Sequence, residues 1–196
     1  MKNEKVLDQH YWEAQYKTNA TGWDLGKVSP PIKEYTDTLD DKNISILIPG
    51  CGNSYEAEYL LSQGFTNITL MDIAPTLVEN LQKKFKNYHN VKIVLGDFFE
   101  HQGQYDLVIE QTFFCALPPV MREQYVRKMH QLLSDNGKLV GLLFNKTFES
   151  GPPFGGSHSE YVQLFGDRFE FLQLDFCQNS ITPRINSELF IEFQKK

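Results

Sequence analysis

Short apolar segments rich in β-branched and aromatic residues alternate with helical segments along this chain, and this alternation constrains the fold more than any other feature. Five strands are predicted in the first three quarters of the sequence, over 44–48, 68–71, 91–95, 105–109 and 138–144. Helices are expected between most of them: one opened by a capping box at 53–56, one with Pro75 in its first turn, and one from 118–119 to Asn136-Gly137. This order predicts a parallel sheet covered by helices on both faces.

The last two apolar segments, 169–176 and 188–193, follow a different pattern. Only residues 177–187 separate them, which is too short for a helical crossover, so an antiparallel pair is predicted. The glycine- and proline-rich segment 151–157 is typical of a flexible loop that lines a site.

Chain length, net charge and cysteine content indicate which broad classes of protein this chain does not belong to. A chain of 196 residues suffices for one well-packed domain, and its net charge of −6 disfavours a nucleic-acid surface. It lacks an apolar run of membrane-spanning length, and its polar N-terminus lacks the core of a secretion signal. Cys51, Cys115 and Cys177 are widely spaced, which favours reduced thiols over disulfides or a metal site. We therefore expect a single cytoplasmic domain over 1–196 that binds neither nucleic acid nor membrane; a monomer is favoured, although the sequence does not determine the oligomeric state.

The turn after the first predicted strand, "PGCG" at 49–52, is typical of a nucleotide site, because glycine lets the backbone approach a ligand closely. Asp72 ends the second predicted strand, where a carboxylate can accept both hydroxyl groups of a ribose. A tight turn, with Asp72 capping the helix at Pro75, explains the same residues without a ligand.

Two adenosine cofactors can be distinguished by spacing. The dinucleotide fingerprint G-x-G-x-x-G needs a third glycine where this chain has Tyr55, which would crowd a pyrophosphate. S-adenosyl-L-methionine has no pyrophosphate and does not require that glycine. After the third strand, Asp97 can accept from an adenine amino group and Phe98 can stack on the ring, although a plain turn fits "GDF" as well. Together these features favour S-adenosyl-L-methionine over NAD.

Longer motifs resemble one family: "YWEAQY", "GWDLG", "PGCGNSYE", "MDIAP", "GDFF", "YDLVIEQTFFCALPPVMR" and "SGPPF". Over nearly its whole length the chain resembles the thiopurine methyltransferase-like class I methyltransferases, and within them the plant and microbial halide and thiol (thiocyanate) methyltransferases. The resemblance implies a Rossmann-like α/β fold whose seven-stranded, mostly parallel sheet has the order 3-2-1-4-5-7-6, with an antiparallel last strand and helices on both faces. We expect residues 1–40 to form a helical cap over the cofactor.

The resemblance implies S-adenosyl-L-methionine as cofactor, S-adenosyl-L-homocysteine as product, and eight cofactor-binding residues: Trp12, Tyr16, Trp23, Gly50, Asp72, Asp97, Phe98 and Gln111. Gly50 would contact the methionine end through its backbone. Gln111 stands where related enzymes carry tyrosine or arginine. By spacing alone, Trp12 and Tyr16 are equally well explained as packing on one face of an N-terminal helix.

No Ser-His-Asp or Cys-His arrangement is evident, so no residue is assigned a catalytic role. The candidates for the acceptor pocket are Phe114, Cys115, Phe154 and His158. An apolar aromatic pocket suits a weakly hydrated nucleophile. His158 could act as base for a protonated thiol, and a loop histidine without a role explains it as well. Phe154 replaces the tyrosine of related halide enzymes, which leaves thiols open.

The expected function is methyl transfer from S-adenosyl-L-methionine to a small soft nucleophile, a thiol, hydrosulfide, thiocyanate or halide, by in-line displacement. The partner is therefore a small molecule or anion. Two alternatives stay open: a thiopurine or other aromatic thiol S-methyltransferase, and a non-catalytic regulatory protein that binds S-adenosyl-L-methionine.

Overall fold

A seven-stranded sheet forms the centre of the computed structural model, which describes residues 6–196. The strands are β1 (Ile46–Pro49), β2 (Ile68–Asp72), β3 (Val91–Leu95), β4 (Tyr105–Gln111), β5 (Leu133–Phe144), β6 (Phe169–Phe176) and β7 (Glu188–Lys195). Their order is β3-β2-β1-β4-β5-β7-β6. Strands β1 to β5 pair in parallel, and β7 pairs antiparallel with both neighbours. The predicted fold, strand order and antiparallel pair are confirmed.

Helices cover both faces of this sheet. They are α1 (Gln9–Lys17), α2 (Pro30–Asp37), α3 (Tyr55–Ser62), α4 (Pro75–Lys84), α5 (Arg122–Leu132) and α6 (His158–Phe165). Residues of β1 alternate between two hydrophobic clusters: Leu47 joins the α5–α6 side, whereas Ile46 and Ile48 join the side of α2, α3 and α4. All three are fully or almost fully buried, as expected for a central parallel strand.

The helix predicted up to Asn136-Gly137 ends earlier, at Leu132. Leu133 already pairs with Tyr105 of β4, and Lys138 pairs with Leu107, so the residues between form an irregularity inside β5. Asn136 has a left-handed φ of 62° at this irregularity. The Asn-Gly pair therefore marks a bulge in the strand and not the end of the helix, because pairing with β4 outweighs the local sequence signal.

The predicted capping box at the start of α3 is wrong. Ser54 occupies the N-cap with a φ of 55° and makes no side-chain capping bond. Asn53 instead donates to the carboxylate of Asp24, and the buried Glu56 accepts from the backbone N–H of Ser29 at 3.1 Å. These polar groups fasten the N-terminal segment to the glycine turn and are therefore unavailable for capping α3.

Over residues 6–196, no helix has the length and apolar character needed to cross a membrane. The same residues contain no group of three or more His, Cys, Asp or Glu side chains placed to hold a metal ion.

Candidate active site

A cavity of about 1390 Å³ opens at the carboxyl ends of β1 to β4, where the sheet order reverses direction. All eight predicted cofactor residues line it: Trp12, Tyr16, Trp23, Gly50, Asp72, Asp97, Phe98 and Gln111. Four parallel strands end at this edge, so the turns that follow them meet there although they are far apart in sequence.

The two glycines of the turn after β1 serve different contacts. Gly50 and Gly52 both have left-handed φ values, 55° and 51°. A Cβ on Gly50 would clash with the ring of Phe113. A Cβ on Gly52 would meet only the hydroxyl of Tyr16, 3.6 Å away. Gly50 is thus required by protein packing as well as by its φ, whereas Gly52 leaves open space beside the backbone for a ligand.

Asp72 ends β2 with only 7 % of its surface exposed. Its Oδ1 accepts from the backbone N–H of Ala74 at 3.0 Å, and its Oδ2 has a single long contact, 3.4 Å from the N–H of Gly52. Burial raises the pKa of this carboxyl to about 6, against the opposing effect of these backbone donors. One oxygen therefore holds the turn before α4, and the other retains capacity for hydroxyl donors.

Asp97 and Phe98 follow β3 in a 3-10 turn over Phe98–Glu100. One carboxylate oxygen of Asp97 accepts from the N–H of Phe99 at 2.8 Å, which leaves the other for a ligand. The ring of Phe98 packs edge-on against Phe113 with centroids 5.0 Å apart. The turn is therefore built by the same residues that line the cavity.

Three aromatic rings from the N-terminal segment cover one side of the cavity. Trp23 makes edge-to-face contacts with Trp12 at 5.6 Å and with Tyr16 at 6.0 Å between centroids. Burial raises the pKa of the Tyr16 hydroxyl, and the nearby Asp72 adds to the effect. Glu13 ties α1 to the start of α4, accepting from the N–H of Thr76 at 2.9 Å and from its hydroxyl at 2.5 Å. The three rings of Trp12, Tyr16 and Trp23 therefore pack against one another and also line the cavity.

Gln111 ends β4 with both polar atoms of its side-chain amide buried and without a hydrogen-bond partner. Burying an amide without partners is costly, so such a group indicates a ligand that supplies them. Together with the open space at Gly52 and the available oxygens of Asp72 and Asp97, this amide fits a polar ligand such as S-adenosyl-L-methionine.

The other end of the cavity is apolar, and it forms what we call the acceptor wall: Phe113, Cys115, Phe148 and Phe154. The backbone N–H of Phe154 donates to the carbonyl of Cys115 at 2.7 Å, which joins the glycine-proline loop to the end of β4. The thiol of Cys115 donates to the carbonyl of Thr112 at 3.3 Å. Burial raises the pKa of this thiol, and the charge of Glu110 adds to the effect, so the thiol stays neutral.

Two predicted acceptor residues lie outside the cavity lining. Phe114 is only 1 % exposed, and its ring packs in the core against Tyr125 and Tyr161 at 5.0 and 5.8 Å. Phe113, its neighbour in the turn, points into the cavity instead. His158 is exposed at the first residue of α6, where its backbone N–H donates to the side chain of Asn145.

Arg184 lines the cavity and was not predicted from the sequence. Its guanidinium donates to the carbonyl of Trp23 at 3.1 Å, lies 3.3 Å from the carboxylate of Glu188, and sits 5.7 Å from the ring centre of Phe144. In the sequence, only the i,i+4 spacing of Arg184 and Glu188 could have pointed to this ion pair, and it does not indicate a position at the cavity. Arg184 brings a guanidinium to the cavity, where the carboxylate of Glu188 balances its charge.

The fold matches solved structures of low sequence identity. A structure titled "Conversion of a Disulfide Bond into a Thioacetal Group during Echinomycin Biosynthesis" superimposes with a TM-score of 0.78 at 15 % identity, covering 96 % of this chain and 93 % of the other. Magnesium protoporphyrin IX methyltransferase from Synechocystis PCC 6803, solved with S-adenosylhomocysteine, gives 0.76 at 15 % identity, covering 96 % and 98 %. At such identities the likeness shows the fold alone.

The sequence itself identifies the family. Residues 7–188 match the thiopurine S-methyltransferase family. "Probable thiol methyltransferase 2" of Arabidopsis thaliana is 34 % identical over 191 residues, covering 94 % of this chain and 84 % of that protein. "Thiocyanate methyltransferase 1" of Brassica oleracea is 26 % identical, covering 97 % and 87 %. The chain therefore belongs to the thiopurine S-methyltransferase family of S-adenosylmethionine-dependent methyltransferases.

Proposed function

We propose that this protein transfers the methyl group of S-adenosyl-L-methionine to a small soft nucleophile, a thiol, hydrosulfide, thiocyanate or halide. The observation that carries the proposal is the composition of the acceptor wall. It is built of phenylalanine rings and a neutral thiol, and the cavity-lining residues in the described part of the chain include no histidine. Such a wall provides no evident general base, which suits a nucleophile that attacks without losing a proton.

The polar end of the cavity would hold the cofactor. The free oxygen of Asp72 would accept from the ribose hydroxyls, and that of Asp97 from the adenine amino group. The turn at Gly50 and Gly52 would lie against the methionine part. The aromatic rings of the N-terminal segment would face the positive charge of the sulfonium, which their π-faces attract. In this arrangement residues 6–40 would act as a cap over the cofactor, while residues 1–5 of the expected cap lie outside the described part of the chain.

The apolar end would hold and align the acceptor. Bound S-adenosyl-L-methionine supplies a methyl group on a positively charged sulfur that is ready to leave. The rings of Phe113 and Phe154 would exclude water from the attacking atom. The guanidinium of Arg184, whose charge Glu188 balances, would offer N–H donors to an anionic acceptor. Alignment of nucleophile, methyl carbon and sulfur can contribute much of the acceleration without any proton transfer.

The size of the cavity favours a second candidate, an aromatic thiol such as a thiopurine. Pockets for drug-sized ligands typically measure about 300–1,000 Å³. The cavity of about 1390 Å³ is larger, so it has room for the cofactor together with an acceptor bigger than a halide. This second candidate would use the same cofactor, the same acceptor wall and the same methyl transfer to sulfur. It differs from the first only in the aromatic ring that carries the attacking sulfur.

A competition assay decides between the two. S-adenosyl-L-methionine with a labelled methyl group is offered hydrosulfide, thiocyanate, iodide and an aromatic thiol at equal concentrations. The ratio of labelled products equals the ratio of their kcat/KM values. Label mainly in the small acceptors supports the proposal, and label mainly in the aromatic thiol supports the second candidate.

A thermal-shift comparison tests the cofactor separately. S-adenosyl-L-methionine and S-adenosyl-L-homocysteine should raise the melting temperature, because a ligand at about a hundred times its Kd adds roughly 2.7 kcal/mol of stability. NAD should leave it unchanged. Binding without turnover of any acceptor would favour a regulatory protein instead.

A further inference from the structure

A buried carboxylate lies directly behind the acceptor wall. Glu110 of β4 is 0 % exposed. Its Oε1 accepts from two consecutive backbone N–H groups, those of Phe113 at 2.8 Å and Phe114 at 3.0 Å. Its Oε2 accepts from the hydroxyl of Tyr125 at 2.7 Å. Burial raises the pKa of Glu110 to about 7, against the effect of these three donors. A carboxyl with these three partners is held in one orientation.

The turn that Glu110 holds has an unfavourable backbone conformation. Thr112 has a φ of 62°, a region that β-branched residues rarely adopt. This left-handed residue lies between Glu110 and the two amides, so the chain bends back over the carboxylate. On the neighbouring strand β5, Gly141 leaves room for the backbone of Glu110, because a Cβ at this position would clash with it. The hydrogen bonds to Glu110 therefore offset the cost of the turn.

We propose that Glu110 is the positioning residue of the acceptor wall: its carboxylate holds residues 111–115 in the conformation that presents Phe113 to the cavity. The proposal rests on the proposed function, because it assumes that the acceptor binds against Phe113. Glu110 itself does not line the cavity and would act only through the turn. Of the eight predicted cofactor residues only Gln111 lies in this turn, whereas Asp72 and Asp97 stand on other strands, so most of the cofactor site lies outside the segment that Glu110 holds.

Kinetics at saturating S-adenosyl-L-methionine test the proposal. Glu110→Ala should lower kcat/KM for the acceptor by about 10- to 100-fold, the scale of a displaced positioning group. The Kd of S-adenosyl-L-homocysteine should weaken by a clearly smaller factor, because Gln111 is the one predicted cofactor residue in this turn and saturating cofactor removes its effect from the acceptor kinetics. Leu81→Ala, which truncates a buried side chain of α4 in the other core cluster, is the control for lost stability. An acceptor effect in Glu110→Ala no larger than in this control would overturn the proposal.

Two further variants separate positioning from stability. Glu110→Gln keeps an oxygen that can accept both N–H groups, so its activity should stay within about threefold of wild type. In the background of Glu110→Ala, Thr112→Gly should restore part of the activity, because glycine adopts a positive φ without strain. If Glu110→Gln were as impaired as Glu110→Ala, the positioning role would be wrong.

Amide hydrogen exchange provides a readout that needs no acceptor. The N–H groups of Phe113 and Phe114 should be protected in wild type and in Glu110→Gln, and should exchange faster in Glu110→Ala. Equal protection in all three proteins would contradict the proposal whatever the acceptor. Should wild type methylate no acceptor, the proposed function would fail while the exchange data still decide the role of Glu110.

Discussion

At the scale of single residues, Asp72 carries the most specific prediction. Asp72→Ala should weaken binding of S-adenosyl-L-homocysteine by about 1.5–3 kcal/mol, the scale of hydrogen bonds to a charged group. The reason is its position at the end of β2, with Oδ2 left almost without protein donors. Isothermal titration measures the change. Asp37→Ala, which removes an exposed carboxylate of α2 paired with Lys33, should leave the Kd unaltered. Equal affinities of wild type and Asp72→Ala would remove Asp72 from the site.

The raised pKa of Asp72 predicts a pH dependence of cofactor binding. The free protein holds this carboxyl with a pKa of about 6, and hydroxyl donors bind the ionised form better. Binding therefore strengthens as pH rises through 6. One pH unit below the pKa only about a tenth of the carboxyl is ionised, so the Kd should be about tenfold weaker near pH 5 than near pH 7.5. In Asp72→Asn this dependence should disappear; if it persists unchanged, another group is responsible.

The sequence was sufficient to predict the position of a site residue where that residue stands at the end of a parallel strand. Asp72 and Asp97 follow parallel strands directly, so their place at the cavity follows from the topology. The direction of Phe113 and Phe114 could not be predicted, because it depends on the left-handed Thr112 between them and β4. Arg184 reaches the cavity from a distant loop, through contacts that no local pattern encodes.

At the scale of elements, the turn after β1 is locked to the acceptor wall, and Gly50→Ala tests this. The substitution should cost about 1–2 kcal/mol for the left-handed backbone. The clash with the ring of Phe113 should add about 1–3 kcal/mol. Gly64→Ala is the matched control, because Gly64 has a φ of 87° and nothing within 4 Å of its missing Cβ. Denaturant unfolding should show a clearly larger loss for Gly50→Ala; equal losses would mean that Phe113 moves aside freely.

Two strands at the edges of the sheet, β3 and β6, were predicted accurately although both are partly exposed. The pattern for β3 matched its observed span, Val91–Leu95, and the antiparallel pairing of β6 with β7 followed from the short loop between them. The predicted end of a helix was wrong where pairing with a neighbouring strand outweighed the turn residues in the sequence. At Leu133 the chain leaves α5 directly into a strand because Tyr105 of β4 offers it a partner.

At the scale of the whole molecule, the candidate site depends on contacts between distant parts of the chain. Asp24 accepts from Asn53, and Arg184 donates to the carbonyl of Trp23, so the N-terminal segment is fastened on one side to the glycine turn and on the other to the C-terminal hairpin. The strand order could be predicted because alternating strands and helices allow few topologies. The joining of both chain ends over the cavity could not, since it rests on polar pairs distant in sequence.

The most direct test of the central claim is the volatile product formed from S-adenosyl-L-methionine and hydrosulfide, measured by headspace gas chromatography. We predict methanethiol in equal amount to the S-adenosyl-L-homocysteine produced, and a much lower rate in Asp72→Ala at subsaturating cofactor. Iodide should be methylated faster than chloride, because iodide sheds water more readily. If only an aromatic thiol reacts, the proposed acceptor is wrong although the methyltransferase assignment stands. If neither hydrosulfide, thiocyanate, iodide nor any thiol yields a methylated product while the cofactor binds, the account of this cavity as a methyl-transfer site is contradicted.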